Sequence, residues 1–203
     1  MISGTSTLDA AAVLAAARAA RKAENTAAAQ VLEQAVEWAR LHEVTDLDDA
    51  ATIWAGRGVD TGIPIAGEGA PLIGEFAVAE FATALGMTAE SGRNLVAQAI
   101  ELAHRLPRVW ARVRAGQLAP WRARRVAEQT LCLSMEAATF VDAQVAPFAH
   151  KVGPAQTERL VEEAIARFMP EFAAERRDRA ADQRHFTVDQ PAGLLRRHLP
   201  GRG

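Results

Sequence analysis

The segment TAESGRNLVAQAIELAHRLPRVWARVRAG, residues 88–116, decides the fold of this chain. Thr88 can cap the start of a helix, because a threonine side chain accepts a hydrogen bond from a backbone N–H of the first turn. Apolar residues then recur at helical spacing and predict one buried side: Leu95, Val96, Ala99, Ile100, Ala103 and Leu106. Pro107 must end or kink this helix because proline has no backbone N–H to donate. Gly116 ends a second, short helix, so the segment predicts two consecutive helices.

Helical patterns continue on both sides of this segment. A helix through Phe76 and Phe81 is expected to end at Gly86, since glycine readily adopts the left-handed conformation of a helix C-cap. Pro120 is well placed as the first residue of the next helix. Further helices are expected at about 135–150, 154–169 and 171–184. We therefore predict a helical core over residues 73–184.

The sequence outside this core is of three kinds. Residues 1–44 predict a long helical arm, which begins at Thr7 and must pack on the core or on a second copy of the chain. Residues 45–72 are rich in glycine and proline and predict a connector that matches neither phosphate-binding glycine pattern. Residues 185–203 are expected to hold a short strand, His185–Asp189, and a disordered tail. The predicted fold class is all-α: a multi-helix bundle with a long N-terminal helical arm and at most one short C-terminal strand.

The composition excludes several functional classes. The 203 residues include one cysteine, Cys132, so neither an intrachain disulfide nor a four-cysteine metal site can form. No run of about 18–20 apolar residues is present, so we expect no membrane span and a cytoplasmic location. The histidines lie far apart, and no hydrolytic pattern of serine, histidine and carboxylate occurs. The sequence therefore predicts no catalytic residue, no cofactor and no metal.

Charge is segregated along the chain although the net charge is only −2. Residues 91–125 hold eight arginines and one acid, Glu101, whereas residues 1–90 hold thirteen acids and five basic groups. A concentrated cationic stretch in an acidic protein indicates a polyanion or an acidic partner surface. The planar guanidinium binds two phosphate oxygens at once, so six arginines are candidate DNA ligands. They are Arg93, Arg105, Arg108, Arg112, Arg122 and Arg125.

Two other interpretations of this cationic stretch stay open. The arginines can form a solvated, salt-bridged surface, for instance with Arg125 paired to Glu128, or the acidic N-terminal arm can cover them. Two tryptophans, Trp110 and Trp121, flank the cluster and could stack on bases. We interpret them as core residues, because large aromatic side chains in a chain poor in them are usually buried.

The corner at Gly86 offers a second route to DNA. The two helices that flank it resemble a helix-turn-helix, with the small residue Ala82, the turn glycine and the apolar Leu95 at suitable positions. Gly92, however, stands where a branched apolar residue is expected. The sequence therefore favours a structural corner over a helix that enters a DNA groove.

A family resemblance rests on residues 75–130, which read EFAVAEFATALGMTAESGRNLVAQAIELAHRLPRVWARVRAGQLAPWRARRVAEQT. The combination of ALG, the RLP break, the AGQL turn and the arginine-rich helix after it resembles the actinobacterial domain of unknown function 222. That domain is found in proteins of the 13E12 repeat family. The resemblance continues through AAERRDRAADQRHFTVDQ, residues 173–190.

The resemblance also implies a setting for the protein. Relatives typically continue into a C-terminal HNH endonuclease domain, which cuts DNA with a metal-bound histidine–asparagine–histidine finger. Residues 185–203 do not match that finger, so no catalytic residue is carried over, and we expect a truncated or naturally shortened member. The expected function is a non-catalytic, DNA-associated helical module. The alternative is a protein–protein or dimerisation module, in which the N-terminal helix forms a homodimer and no DNA is contacted.

Overall fold

The structure, a computed structural model, describes residues 9–45 and 62–186 and confirms the helical fold class. The helices within these ranges are α1 (Ala10–Leu41), α2 (Glu75–Ala84), α3 (Ala89–His104), α4 (Pro107–Arg114), α5 (Pro120–Thr130), α6 (Met135–Val145), α7 (Pro154–Phe168) and α8 (Pro170–Phe186). A single 3-10 turn, Ala146–Phe148, follows α6. Three short strands are β1 (Glu43–Val44), β2 (Gly62–Ile63) and β3 (Leu72–Gly74).

The helix ends form where local sequence signals place them. Thr88 Oγ1 accepts a hydrogen bond from the backbone N–H of Ser91 at 3.2 Å and so caps α3. Gly86 and Gly116 have φ angles of 65° and 68°, in the left-handed region that glycine adopts without strain, and they follow α2 and α4. Pro107 is the first residue of α4. The two consecutive helices predicted from residues 88–116 are therefore confirmed.

Helix α3 is the centre of the bundle. Every residue from Leu95 to Leu102 is buried, because α1, α2, α4 and α5 pack around the helix. Gly92 lets α2 approach closely, since a Cβ at that position would lie 2.2 Å from the Cβ of Ala82. The first turn of α3 is exposed, apart from Gly92. The close contact between Gly92 and Ala82 explains why glycine stands at this position, and the preference for a structural corner over a DNA-reading helix stays a prediction.

Helix α1 has two halves in different environments. The C-terminal half packs on α3 and buries three side chains: Leu32, Ala35 and Ala39. The N-terminal half, residues 10–28, is exposed at nearly every position and is called the free half of α1 below. Asp9 caps the helix through its side chain, and the predicted cap, Thr7, lies outside the described residues. Of the described part of the predicted arm, the C-terminal half of α1 therefore packs on the core.

A small antiparallel sheet corrects the prediction that residues 45–72 are only a connector. Strand β3 lies between β1 and β2, with Glu43 opposite Ile73 and Gly62 opposite Gly74. Strands of two or three residues are too short to show an alternating pattern in the sequence, which explains why they were not predicted. The sheet joins the end of α1 to the start of α2.

The C-terminal part of the chain also differs from prediction. Helix α8 continues to Phe186, so the first two residues of the predicted strand His185–Asp189 are helical. The rest of that strand and the predicted tail lie outside the described residues, as do residues 46–61 of the predicted connector. The helical core predicted over residues 73–184 is thus described throughout.

Candidate nucleic-acid interface

The first turn of α5 presents a large aromatic side chain to solvent. The buried side of this helix is formed by Ala123, Val126 and Ala127, and Trp121 lies on the opposite side at 3.6 residues per turn. Half of the surface of Trp121 (50%) is exposed. The prediction that Trp121 is a core residue is therefore wrong. Trp110 is partly buried and packs against the core, as predicted.

Trp121 borders a cleft of about 300 Å³, which we call the Trp121 pocket. Helix α5 contributes Trp121, Arg122 and Arg125 to its wall, and the turn before α7 contributes Lys151 and Val152. Among the described residues that line the pocket, three are cationic and none is acidic. The pocket therefore has the charge of a site for an anion.

Arg122 links the two walls of the Trp121 pocket. Its guanidinium carbon lies 4.7 Å from the centroid of the Trp121 ring, a cation–π distance. Its Nη1 also donates a hydrogen bond of 3.4 Å to the backbone carbonyl of Val152. These two contacts orient both side chains before any ligand binds, which lowers the entropy that a ligand must remove.

The other two cations of the pocket have no competing partners. Arg125 and Lys151 are exposed, and neither side chain forms a hydrogen bond or an ion pair with any residue that the structure describes. In particular, Arg125 does not form the predicted ion pair with Glu128. Both charges are therefore available to an anion.

Three other candidate arginines lie outside the Trp121 pocket. Arg93 is exposed near the start of α3, Arg108 is exposed on α4, and Arg112 on the same helix is partly buried. Their side chains make no hydrogen bond or ion pair within the described ranges. The structure thus brings Arg122 and Arg125 together and does not place the remaining candidates in the same cleft.

Arg105 is a correction to the predicted set. Its side chain is fully withdrawn from solvent and forms an ion pair of 2.9 Å with Glu101, one helical turn earlier. Its Nη2 donates to the carbonyls of Leu133 and Ser134, and its Nη1 donates to the carbonyl of Thr130. A guanidinium held in this way cannot reach a phosphate, so Arg105 is a structural residue.

Glu101 completes a buried polar cluster around Arg105. Its carboxylate accepts hydrogen bonds from Thr130 Oγ1 at 2.7 Å and from the backbone N–H of Gly67 at 3.1 Å. Sequence reasoning did not identify this cluster. The available signal was that Glu101, the only acid in residues 91–125, precedes Arg105 by four positions, the spacing of an ion pair on one helix face.

The N-terminal arm covers little of the cationic stretch. Glu33 of α1 pairs with Arg114 at 3.5 Å, and the side chain of Arg114 stays largely exposed while that of Glu33 is partly buried. Arg124 donates a hydrogen bond of 2.6 Å to Gln98 on α3. Neither arginine was a candidate ligand, and Arg105, the one candidate that an acid neutralises, pairs with Glu101 of α3 and not with the arm.

Comparison with known proteins identifies the region that contains this site. The family model described as "Domain of unknown function (DUF222)" matches residues 66–198. The chain belongs to the DUF222 family. No curated protein and no solved structure matches the chain.

The DUF222 match includes the Trp121 pocket and every residue of the buried Glu101 cluster, while α1 precedes it. In the described part of the chain, no group of three histidine, cysteine, aspartate or glutamate residues is arranged to hold a metal ion. None of the described helices has the length and apolar character needed to cross a membrane.

A buried carboxylate caps the start of α4 in the DUF222 domain. Asp142 on α6 accepts hydrogen bonds from the backbone N–H groups of Arg108, at 3.0 Å, and Val109, at 2.9 Å. Burial raises the pKa of Asp142 above its ordinary value, and these two hydrogen bonds and the charge of Arg108 only partly oppose that effect. No local sequence pattern predicts this contact, because the partners lie more than thirty residues apart.

Proposed function

We propose that this DUF222 domain binds DNA without cutting it and that the Trp121 pocket is the contact site. The observation that carries the proposal is the combination in one cleft of a half-exposed tryptophan and three cations without an acid. Phosphate oxygens can pair with the cations, and a nucleobase offers the flat surface on which an exposed indole stacks. No part of this role needs a catalytic residue.

Each residue of the pocket has a separate task in this proposal. Arg125 and Lys151 contact phosphate oxygens, since neither has another partner among the described residues. Arg122 holds the indole of Trp121 in place through its cation–π contact and adds a third positive charge. Trp121 stacks on a base, a contact that contributes about 1–3 kcal/mol and tolerates any sequence.

The proposal favours single-stranded over duplex DNA. Bases in a duplex are stacked on one another, so a tryptophan at the protein surface can stack only on a base that is unpaired or turned out of the helix. The cations alone would bind both forms. We therefore expect the preference for single strands to depend on Trp121 and the general affinity to depend on Arg125 and Lys151.

Titration of a fluorescent single-stranded oligonucleotide, followed by fluorescence anisotropy at low salt, tests this function. The charge-reversed double variant Arg125→Glu/Lys151→Glu should abolish binding. The control variant Arg159→Glu changes an exposed arginine of α7 that lies outside the pocket and should retain binding. Wild-type protein that does not bind DNA at about 50 mM salt would contradict the proposal, because phosphate contacts are strongest at low salt.

A second function, homodimerisation through α1, is favoured by one observation. The free half of α1 exposes Val13 and Leu14, which are 48% and 56% accessible. Deleting the whole arm is a poor test because Leu32, Ala35 and Ala39 belong to the core. Light scattering on wild-type protein and on the variant Val13→Glu/Leu14→Glu is more direct. A dimer that becomes a monomer in the variant would support this function, and a monomer in both samples would contradict it.

A further inference from the structure

A second, larger cleft shares no lining residue with the Trp121 pocket. It separates the free half of α1 from the turn between α4 and α5 and has a volume of about 690 Å³. We call it the α1 groove. Leu14, Ala17 and Ala29 line its α1 side, and the largely buried Val113, Leu118 and Pro120 form its floor. The apolar inner surface therefore comes mainly from Leu14 and the alanines of α1.

The edges of the α1 groove are cationic. Arg18, Arg21 and Lys22 lie along the α1 edge and Arg114 lies on the other, whereas Glu33 is the only acid among the described lining residues. Arg21 pairs with Glu24 at 2.8 Å and Arg114 pairs with Glu33 at 3.5 Å. These two pairs leave a local excess of positive charge at the N-terminal end of the groove.

Arg18 and Lys22 supply that excess. They are four residues apart and so share one side of the helix. Neither side chain has a hydrogen-bond or ion-pair partner within the part of the chain that the structure describes.

Alanine, the strongest helix former, makes up most of residues 10–28, which explains how the free half of α1 stays helical without packing on the core.

We propose that the α1 groove binds an acidic amphipathic helix of another protein. An apolar stripe on that helix would fill the inner surface, and carboxylates on its flanks would face Arg18 and Lys22. The groove runs along α1 from Leu14 to Glu33, a length of about 29 Å at 1.5 Å per residue. That length matches a helix of about five turns and exceeds what a small ligand needs.

Charge complementarity distinguishes this occupant from two others. A second copy whose α1 entered the groove would bring its own Arg18, Arg21 and Lys22 against the same edge, and like charges repel, so the α1 homodimer considered above is the less favoured occupant of this groove. DNA would pair with the cations but has no apolar ridge to cover the exposed side chain of Leu14. An acidic amphipathic helix would pair its carboxylates with the cations and cover the apolar surface with its apolar stripe.

Binding of designed peptides to the full chain tests the proposal. The probe is a fluorescein-labelled peptide of about five helical turns, with leucines on one face and glutamates on its flanks. Two matched peptides replace every glutamate by lysine or scramble the leucine positions. The acidic peptide should bind at least about tenfold more tightly than either control peptide, because two charge contacts and the apolar stripe each contribute.

Variants locate the contact. Arg18→Glu/Lys22→Glu and, separately, Leu14→Gln should each weaken binding of the acidic peptide about tenfold. Arg40→Glu changes an exposed arginine of α1 outside the groove and should have no effect. All of these side chains are exposed, and circular dichroism will verify that each variant keeps its helix content.

Three results would overturn the proposal. Equal affinity for the acidic and lysine peptides would remove the role of charge, and unchanged affinity in both groove variants would place the peptide elsewhere. If single-stranded DNA displaced the peptide from wild-type protein and no longer did so in Arg18→Glu/Lys22→Glu, the groove would be a nucleic-acid site. The Trp121 pocket lies outside this groove, so its DNA affinity can persist or fail independently of these results.

Discussion

The carboxylate of Glu101, in the last turn of α3, and the guanidinium of Arg105, the residue directly after that helix, lie 2.9 Å apart, and neither side chain is exposed to solvent. Glu101 also accepts a hydrogen bond from Gly67, at the start of the DUF222 match, while Arg105 donates to the loop between α5 and α6. One buried ion pair therefore connects three separate parts of the chain. Its energetic cost of desolvation is offset only while every hydrogen bond around it is made.

Gly67 allows this arrangement because it has no side chain. A Cβ at position 67 would lie 1.3 Å from Arg105 Nη1 and 2.9 Å from the carbonyl oxygen of Leu131. Gly67→Ala should therefore lower the free energy of unfolding by about 3 kcal/mol or more, as expected when a buried ion pair is displaced. Urea denaturation measures this change.

Gly153→Ala is the matched control for this substitution. Nothing lies within 4 Å of a Cβ at position 153, and the residue has an ordinary negative φ as the N-cap of α7. We expect it to cost less than about 1 kcal/mol. Equal losses in the two variants would show that space around Arg105 is not the reason for glycine at position 67.

The two members of the ion pair should be strongly coupled. Glu101→Gln leaves the Arg105 charge buried without a counter-ion. Arg105→Met likewise leaves the Glu101 carboxylate buried without a counter-ion. Each single variant should lose about 3–5 kcal/mol of unfolding free energy. The double variant should lose clearly less than the sum, because it buries no unpaired charge. A double-mutant cycle in urea measures the coupling, and strict additivity would contradict this account.

Asp142 should make stability depend on pH with a defined sign. Its pKa is raised in the folded protein, so the folded state binds this proton more tightly than the unfolded state. The resulting stabilisation is complete below the ordinary aspartate pKa and is lost as pH rises through the raised value. Asp142→Asn has no such proton. The unfolding free energy of wild-type protein minus that of Asp142→Asn should therefore decrease from about pH 4 towards neutrality.

A series of urea denaturation curves at different pH values for both proteins measures that difference. Subtraction removes the contribution of the other carboxylates, which the two proteins share. A difference that increases with pH would mean that the hydrogen bonds from Arg108 and Val109 outweigh the effect of burial.

DNA affinity should depend only moderately on salt. Three cations line the Trp121 pocket, and each phosphate contact with a single strand contributes a slope of about −0.7 in log affinity against log salt. Affinity should therefore fall about twentyfold between about 50 and about 200 mM salt. Participation of all six arginines predicted from the sequence, in contact with duplex DNA, would give about a thousandfold decrease instead. Anisotropy titrations at several salt concentrations distinguish the two values.

Local sequence signals were sufficient to predict the helical part of the fold. Thr88, Gly86, Pro107 and Gly116 act through hydrogen bonds and backbone angles within a few residues of themselves, so their effects can be read without knowledge of the tertiary structure. The same reasoning placed α3 between them. It did not find the three-stranded sheet, because strands of two or three residues carry no periodic pattern.

The candidate site was only partly predictable for a physical reason. Arg105 and Arg125 are the same residue type on adjacent parts of the cationic stretch, yet one is buried and the other exposed. Which of them faces solvent depends on how α3 and α5 pack. Lys151 lies in a different segment and joins the pocket only through the approach of α7 to α5. Trp121 was misassigned because aromatic composition says nothing about the direction of a side chain.

The most direct test of the account is the affinity of Trp121 variants for single-stranded DNA. Trp121→Ala removes the stacking surface and should weaken binding by about 1–3 kcal/mol, whereas Trp121→Phe keeps an aromatic ring and should lose less. Binding to duplex DNA of the same sequence should change little in either variant. Equal affinity of wild-type protein and Trp121→Ala for the single strand would contradict the assignment of the Trp121 pocket as the DNA contact.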